Sequence, residues 1–194
     1  MSRPLPRRTV ILGLGAGLGA GLAVSGCSAH ADPAVTARYR GEYRTIARAA
    51  ALENQAVSVY RALLAGPAAR GSGSAPAFAR LAEACARHHV EHAATWNAIL
   101  LAGREPAMAG TPLRGASGVL RSARSAATVE EAAALALRFE TEAAETYVNA
   151  VGSLSSRPGI AAAASIAPVE AMHAALLRFL AGDDPVPMSF LAPG

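Results

Sequence analysis

The stretch Glu53-Asn-Gln-Ala-Val-Ser-Val-Tyr60 recurs later in the chain as Glu140-Thr-Glu-Ala-Ala-Glu-Thr-Tyr147, with Glu, Ala and Tyr at the same three positions. Each copy is followed by a second segment in which two potential metal ligands are three residues apart, namely His89/His92 and Glu170/His173. Two helical hairpins that each point carboxylate and imidazole groups inward form a four-helix bundle with a metal site at its centre. The repeat therefore predicts the fold and the site together.

Four segments of the chain place apolar residues three and four positions apart, which is the spacing of one face of a helix. These predicted helices cover about 35–65, 76–102, 128–151 and 159–181. A stretch rich in Gly, Pro, Ser and Arg, residues 103–127, must carry the chain from the first hairpin to the second. Pro168 lies inside the fourth segment and is expected to kink that helix or delay its start. The pattern predicts an all-α, up-down four-helix bundle with a long crossover between the helix pairs.

The helical spacing also predicts which polar side chains face the core. Glu53 shares one helix face with Ile46 and Val57, so its carboxylate is expected to point inward. The same argument applies to five further ionisable residues, namely His89, His92, Glu140, Glu170 and His173. Carboxylates without partners in a bundle core would cost several kcal/mol or take up protons, and divalent cations would stabilise them. The sequence therefore predicts a metal site built from these six side chains.

Tyr60 and Tyr147 each lie two turns after the repeated glutamate, on the same helix face. At that position a phenol hydroxyl could donate a hydrogen bond to a metal ligand. Ordinary packing of an aromatic ring in the core explains the position equally well. Both interpretations stay open at the level of the sequence.

Bundles of the di-iron and di-manganese carboxylate class take one glutamate from each of two helices and a Glu-x-x-His pair from each of the other two. Glu53 and Glu140 match the single glutamates. Glu170-Ala-Met-His173 matches one of the pairs, whereas the other pair has His89 where glutamate is expected. With these residues the chain resembles the ferritin-like superfamily, and more closely its exported bacterial ferritin-like domain proteins.

This resemblance extends over about residues 46–181 and implies iron or manganese as the cofactor, in the form of one or two ions. If the site is redox active, the resemblance implies oxidation of metal by O₂ or peroxide, in envelope protection or iron handling. Because imidazole is neutral, His89 leaves three negative charges in the ligand set instead of four, which should weaken the binding of a second hard cation. Whether the protein is an enzyme is left open.

Three alternatives remain open for this cluster. His88 lies one turn before His92 and could replace His89 as a ligand. The histidines could instead capture zinc or copper, a weaker interpretation that rests on the preference of these metals for imidazole. A metal-free bundle could also serve as an envelope binding or scaffold lipoprotein, with its buried acids paired with Tyr or with Arg87 and Arg138.

The first 27 residues have the features of an export signal. Arg7 and Arg8 precede a weakly apolar run over residues 10–24, and Val24-Ser-Gly-Cys27 resembles a lipobox. The run is short for a membrane-spanning helix, which needs roughly 20 residues. We therefore predict a twin-arginine lipoprotein signal that is cleaved before a lipidated Cys27, with an uncleaved anchor as the alternative. The mature protein is then expected on the outer face of the cytoplasmic membrane or in the cell envelope.

Charge and cysteine content restrict the possible binding partners, and the sequence also indicates how the mature chain is divided into segments. Three of the 18 basic residues and none of the 14 acidic ones lie in the signal, so the mature chain has a net charge of +1 and gives no indication of nucleic-acid binding. Cys85 is the second of two cysteines and is expected to pack as a small buried side chain. Residues 28–34 are predicted as a tether, 35–182 as the bundle and 183–194 as a Pro-rich tail across its surface. Metal ions and the membrane are the expected partners, and a homodimer is left open.

Overall fold

The computed structural model describes residues 36–110 and 113–189, and the regular secondary structure of these ranges is helical. The helices follow in the order α1 (Tyr43–Ala65), α2 (Ala75–Ala102), α3 (Ala116–Ser125), α4 (Val129–Ser153) and α5 (Arg157–Ala181). The most extensive helix packing occurs within two hairpins, α1 with α2 and α4 with α5, and α2 also packs on α5. The prediction of an all-α four-helix bundle with a long crossover is confirmed. The predicted signal, with Cys27, lies outside the described residues.

One predicted helix boundary and the predicted form of the crossover are wrong. α1 begins at Tyr43 and not near residue 35, because the chain turns at Gly41, whose φ of +51° a helix does not allow. The crossover is not a plain linker, since it contains α3. Val119 and Ala123, one turn apart, form the buried face of α3 and belong to an apolar cluster shared with α1. The Gly, Ser and Arg residues around this face conceal its short helical pattern in the sequence.

Pro168 is expected from the sequence to kink the fourth long helix or to delay its start, and the delayed start is wrong. α5 begins at Arg157, where the Ser156 hydroxyl accepts a hydrogen bond from the Gly159 N–H, and it continues through Pro168. Proline leaves the carbonyl of Ala164 without its helical donor. Both residues lie on the exposed side of α5, so water can satisfy that carbonyl and the helix tolerates the proline.

Thr128 and Glu131 cap the start of α4. The Thr128 hydroxyl accepts a hydrogen bond from the Glu131 N–H at 3.2 Å, and the Glu131 carboxylate accepts one from the Ala127 N–H at 2.8 Å. The first bond satisfies a backbone donor that a helix leaves unpaired at its first turn, and the second holds the residue that precedes the cap. They also define where the second hairpin begins.

The bundle core consists of two apolar clusters separated along the helix axes. One cluster contains Ile46, Trp96 and Ile166, and the other contains Phe78 and Cys85. Between them lies a layer of polar side chains, all buried except the partly exposed His92. This layer, here called the polar layer, contains Glu53, His89, His92, Glu140, Glu170 and His173. The core therefore places ionisable groups where packing alone would favour apolar ones.

α5 is long and apolar enough to span a membrane by length and composition, with a mean hydropathy of 1.6 over its most apolar window. It also supplies Glu170 and His173 to the polar layer, and 44% of that window is buried in the bundle. These contacts are those of a core helix. Its outer side nevertheless exposes Met172, Leu176 and Phe179.

The described part of the tail, residues 183–189, runs beside the second hairpin. Pro185 and Met188 border a groove together with Thr141 on α4 and Ala171 on α5. The tail therefore extends back along the outside of the bundle from the end of α5.

Candidate metal centre

The six predicted ligands are supplied by all four long helices and meet in the polar layer. Glu53 comes from α1 and Glu140 from α4, whereas α2 supplies the two histidines and α5 the Glu–His pair. Five of the six side chains are buried, and only 12% of the His92 surface is exposed. The site is therefore assembled across both hairpins and is almost closed to solvent.

One group of potential ligand atoms, here called the first half-site, consists of Glu53, His89, His92 and Glu170. Its four ligand atoms all lie within 4.8 Å of one another. His89 Nδ1 is 2.6 Å from Glu53 Oε2, and His92 Nδ1 is 2.9 Å from Glu170 Oε1. Two carboxylates and two imidazoles thus face one small volume.

A second group, here called the second half-site, consists of His89, Glu140, Glu170 and His173 and is equally compact. His89 Nε2 lies 3.2 Å from Glu140 Oε1, and His173 Nδ1 lies 3.1 Å from Glu140 Oε2. His173 Nδ1 is also 3.4 Å from Glu170 Oε2. Again two carboxylates and two imidazoles converge.

His89 and Glu170 belong to both half-sites and use a different atom in each. His89 turns Nδ1 toward Glu53 and Nε2 toward Glu140. Glu170 turns Oε1 toward His92 and Oε2 toward His173. These two residues occupy equivalent positions in the two repeats. At the shared centre of the site, the first repeat therefore has an imidazole where the second has a carboxylate.

The polar contacts of Glu170 indicate that the residues fit a cation. Among the described residues, both carboxylate oxygens of Glu170 and Nδ1 of His92 are buried without a hydrogen-bond partner. His92 Nδ1 and Glu170 Oε1 are nevertheless only 2.9 Å apart, so the distance is right and the alignment is not. Atoms that approach closely without bonding each other, and that cost free energy when unsatisfied, are arranged as ligands of a common third partner.

The two repeated tyrosines hold the glutamates of the opposite repeat. The Tyr60 hydroxyl donates to Glu140 Oε1, and the Tyr147 hydroxyl donates to Glu53 Oε1. Burial and the adjacent carboxylate raise the pKa of each phenol well above its usual value, so both remain donors. The pairs cross between the hairpins and orient both glutamates within the layer.

The comparison with known families agrees with this geometry. A family profile described as the ferritin-like domain matches residues 41–183, which include the whole bundle. The chain belongs to the ferritin-like domain family. Neither a curated protein nor a solved structure gives a significant match. The family and the buried cluster together establish a ferritin-like bundle whose His/Glu group is compatible with a metal ion.

In this ferritin-like domain the neighbouring imidazoles oppose the effect of burial on the carboxylates. Burial disfavours ionisation of Glu53, but the hydrogen bond with His89 and the nearby imidazole of His92 outweigh it and lower the pKa of Glu53. Burial likewise opposes a charge on Glu140, whose pKa falls well below its usual value because of the positive charge of His89 and the imidazole hydrogen bonds. For Glu170 burial prevails and the pKa is raised.

The histidines show the opposite shifts. Burial disfavours a charge on each ring, but the carboxylates raise the pKa of His89 well above its usual value and that of His92 to about 9. Burial also disfavours a charge on His173, but the neighbouring Cys85, Glu140 and Glu170 outweigh it and raise the pKa of His173 to about 12. Protons on these rings therefore neutralise the carboxylates of the ferritin-like site. A bound cation would neutralise the same negative charges.

The structure also places the side chains on which the alternative interpretations depend. Arg87 and Arg138, the cations that could pair with the buried acids, are both exposed. The pairing with tyrosine that the metal-free interpretation also allowed is present, from Tyr60 to Glu140 and from Tyr147 to Glu53. His88 is in neither half-site, and its Nδ1 lies 2.9 Å from His173 Nε2. His89, not His88, therefore points into the centre of the layer.

Cys85 is a neighbour of the site that sequence reasoning treated as packing only. Its thiol is fully buried, as expected, but it also contributes to the raised pKa of both His173 and Tyr60. The signal was present in the sequence, because Cys85 lies one turn before His89 on the same helix face.

Proposed function

We propose that this ferritin-like domain binds one or two iron or manganese ions in its half-sites and uses them in redox chemistry with O₂ or peroxide, or in iron handling. The observation that carries the proposal is the set of unpartnered ligand atoms of His92 and Glu170, buried at 2.9 Å from each other. Three carboxylates and three imidazoles form the mixed oxygen and nitrogen environment that suits these metals. Zinc and copper are alternatives that the experiment below distinguishes.

Bound iron or manganese would supply one-electron redox chemistry, and the chain's own residues account for the rest. Glu170 offers one oxygen to each half-site, so it can connect them. Tyr60 and Tyr147 each hold one oxygen of a glutamate and leave the other directed at an imidazole. The apolar clusters on either side exclude water from the layer, which strengthens every electrostatic interaction inside it.

The metal content of the full-length protein, measured as purified without a histidine tag and again after reconstitution with Fe²⁺, Mn²⁺, Zn²⁺ or Cu²⁺, tests the proposal. We expect one or two ions per chain, by analogy with the carboxylate bundles. With two ions bound, Glu53→Ala and His173→Ala should each lose metal, because they remove a ligand from opposite half-sites. With one ion bound, the variant of the half-site that holds it should lose metal. Glu83→Ala, an exposed position on α2, is the matched control and should bind as the wild type does.

Each outcome of this measurement has a defined meaning. Two ions per chain would show that His89 does not prevent a dinuclear site, and one ion would show that it does. Preferential uptake of zinc or copper would assign the site to those metals. A wild-type protein that binds no metal would refute the proposal and leave a metal-free bundle that binds a partner or serves as a scaffold.

We further propose that the protein is exported and anchored in the membrane by a lipid on Cys27. The support is the twin arginine, the apolar run and the lipobox-like sequence in residues 7–27. Mass spectrometry of the mature N-terminus should find a diacylated Cys27, and Cys27→Ala should move the protein out of the membrane fraction. A wild-type protein that retains residues 1–26 would contradict lipoprotein processing.

A further inference from the structure

His88 makes an unusual contact with one of the candidate ligands. It precedes His89 on α2, and its half-buried ring reaches across to α5. Its Nδ1 lies 2.9 Å from Nε2 of His173, the ring centroids are 5.1 Å apart and the ring planes differ by 12°. At these distances the rings meet edge to edge in nearly one plane, which is the geometry of a hydrogen bond between imidazoles.

The other nitrogen of His173 faces the polar layer. His173 Nδ1 lies 3.1 Å from Glu140 Oε2 and 3.4 Å from Glu170 Oε2, inside the second half-site. A neutral imidazole carries its proton on one nitrogen and its lone pair on the other. If Nε2 holds the proton and donates it to His88, the lone pair of Nδ1 is directed at the half-site.

Comparison of the two repeats shows that only the second half-site has a histidine that contacts the outer nitrogen of its histidine ligand. His89 and Glu170 are equivalent positions, so the counterpart of His88 on α5 is Val169. A valine side chain has no hydrogen-bonding atom and cannot hold His92 as His88 holds His173. The two half-sites are therefore matched in their ligand types but not in what orients their histidines.

We propose that His88 is a positioning residue of the metal centre: its Nδ1 accepts the Nε2–H of His173 and keeps His173 Nδ1 free to bind an ion in the second half-site. The inference rests on the proposed metal-binding function. It adds that the second half-site is the tighter one, because a histidine ligand that donates its outer N–H is held in one tautomer and orientation. His92 lacks this restraint from its repeat counterpart.

Titration of the full-length protein with Co²⁺, followed by its visible absorption, measures both half-sites. His92→Ala and His173→Ala assign the spectra, since each removes a ligand of one half-site only. His88→Leu should weaken Co²⁺ binding at the second half-site by about 10–100-fold and leave the first within about twofold. His88→Asn should restore most of the affinity, because its amide oxygen can stand where Nδ1 stood. Glu83→Gln, exposed on the same helix, is the control.

A second measurement detects the hydrogen bond itself. In ¹⁵N-labelled protein loaded with Zn²⁺, His173 should carry its proton on Nε2 and show coupling to Nδ1 of His88, and His88→Leu should abolish that coupling. A proton on Nδ1 of His173 would overturn the proposal. So would unchanged Co²⁺ affinity in His88→Leu, or equal losses in His88→Leu and His88→Asn, which would indicate packing alone. A wild type that binds no Co²⁺ would refute the metal-binding proposal as well.

Discussion

At the scale of single residues, Tyr60 and Tyr147 connect the two copies of the repeat. Each hydroxyl donates to a glutamate in the other copy, so neither hairpin completes its own ligand environment. Both phenols are fully buried, and the ring of Tyr147 also stacks on Trp96 with centroids 5.6 Å apart. The same tyrosine thus packs the core through its ring and orients Glu53 through its hydroxyl.

Tyr147→Phe separates these two roles, because it removes the hydroxyl and keeps the ring. We expect it to lower the free energy of unfolding of the metal-free protein by about 1.5–3 kcal/mol, since Glu53 loses a buried donor to a charged acceptor. Urea denaturation measures the change. Tyr43→Phe, at a half-buried ring on the same bundle, should change stability by less than about 0.5 kcal/mol. A Tyr147→Phe protein as stable as the wild type would show that the hydroxyl does not support Glu53.

At the scale of helices, Glu42 joins the start of the first hairpin to the turn of the second. Its Oε2 accepts hydrogen bonds from the backbone N–H groups of Ser155 and Ser156, at 2.8 and 2.9 Å, and from the Ser155 hydroxyl at 3.0 Å. Ser155 and Ser156 connect α4 to α5, and Glu42 directly precedes α1. This contact helps to set the position of α1 against the second hairpin.

These hydrogen bonds predict a dependence of stability on pH. The Ser155 and Ser156 N–H groups lower the pKa of Glu42 from 4.5 to about 2. Because the folded pKa lies below the unfolded one, the stabilisation is complete above about pH 4.5 and is lost as the pH falls toward 2. Glu42 is close to solvent, so screening keeps the contribution under about 1 kcal/mol.

Denaturant unfolding of Glu42→Gln and wild type between pH 7 and pH 3 measures this effect. We expect the variant to be less stable at pH 7, and the difference to shrink steadily below pH 4.5. Glu83→Gln, at an exposed position away from the hairpin junction, should show no such trend. A constant difference at every pH would mean that the Glu42 charge is not involved.

At the scale of the whole molecule, the polar layer makes folding and metal binding interdependent. The layer brings three carboxylates and three imidazoles from four helices to one place, which the unfolded chain does not do. In the metal-free protein, protons on the imidazoles balance the carboxylates. A cation must displace some of those protons before it can bind the ring nitrogens. Protons and metal therefore compete for the same imidazole nitrogens of the folded protein.

Metal should therefore stabilise the bundle, and more at high pH than at low pH. Because the folded pKa of His92, about 9, exceeds the unfolded value of 6.5, its contribution to the metal-free protein is complete below pH 6.5 and is lost toward pH 9. Metal affinity rises over the same window, since fewer protons have to leave. Saturation at 100 times the dissociation constant adds about 2.7 kcal/mol to the free energy of unfolding.

Denaturation with and without Mn²⁺ at pH 6 and pH 8.5 tests this linkage. The stabilisation by Mn²⁺ should be larger at pH 8.5, and His173→Ala should reduce it at both pH values. An equal effect of Mn²⁺ at the two pH values would show that it binds without displacing protons, outside the imidazole ligands.

The sequence by itself determined the helices and the inward face of each. Apolar residues at a spacing of three and four specify an angular position around a helix, and this local property places Glu53 and Glu170 inside. The repeat adds that two hairpins share one plan, which is enough to predict the bundle. The local pattern did not predict α3, because only two buried residues of that short helix carry the helical spacing. It also placed the start of α1 too early, because the single residue Gly41 turns the backbone out of a helical conformation.

Only the tertiary structure decided which of these side chains meet. The crossing of Tyr147 to Glu53, the two-sided position of His89 and the contact of His88 with His173 depend on how the helices are rotated and shifted against one another. Periodicity along one helix contains no information about the register of its neighbours. Contacts between Glu42 and the Ser155 turn, 113 positions apart in the chain, arise in the same way from packing of the whole bundle.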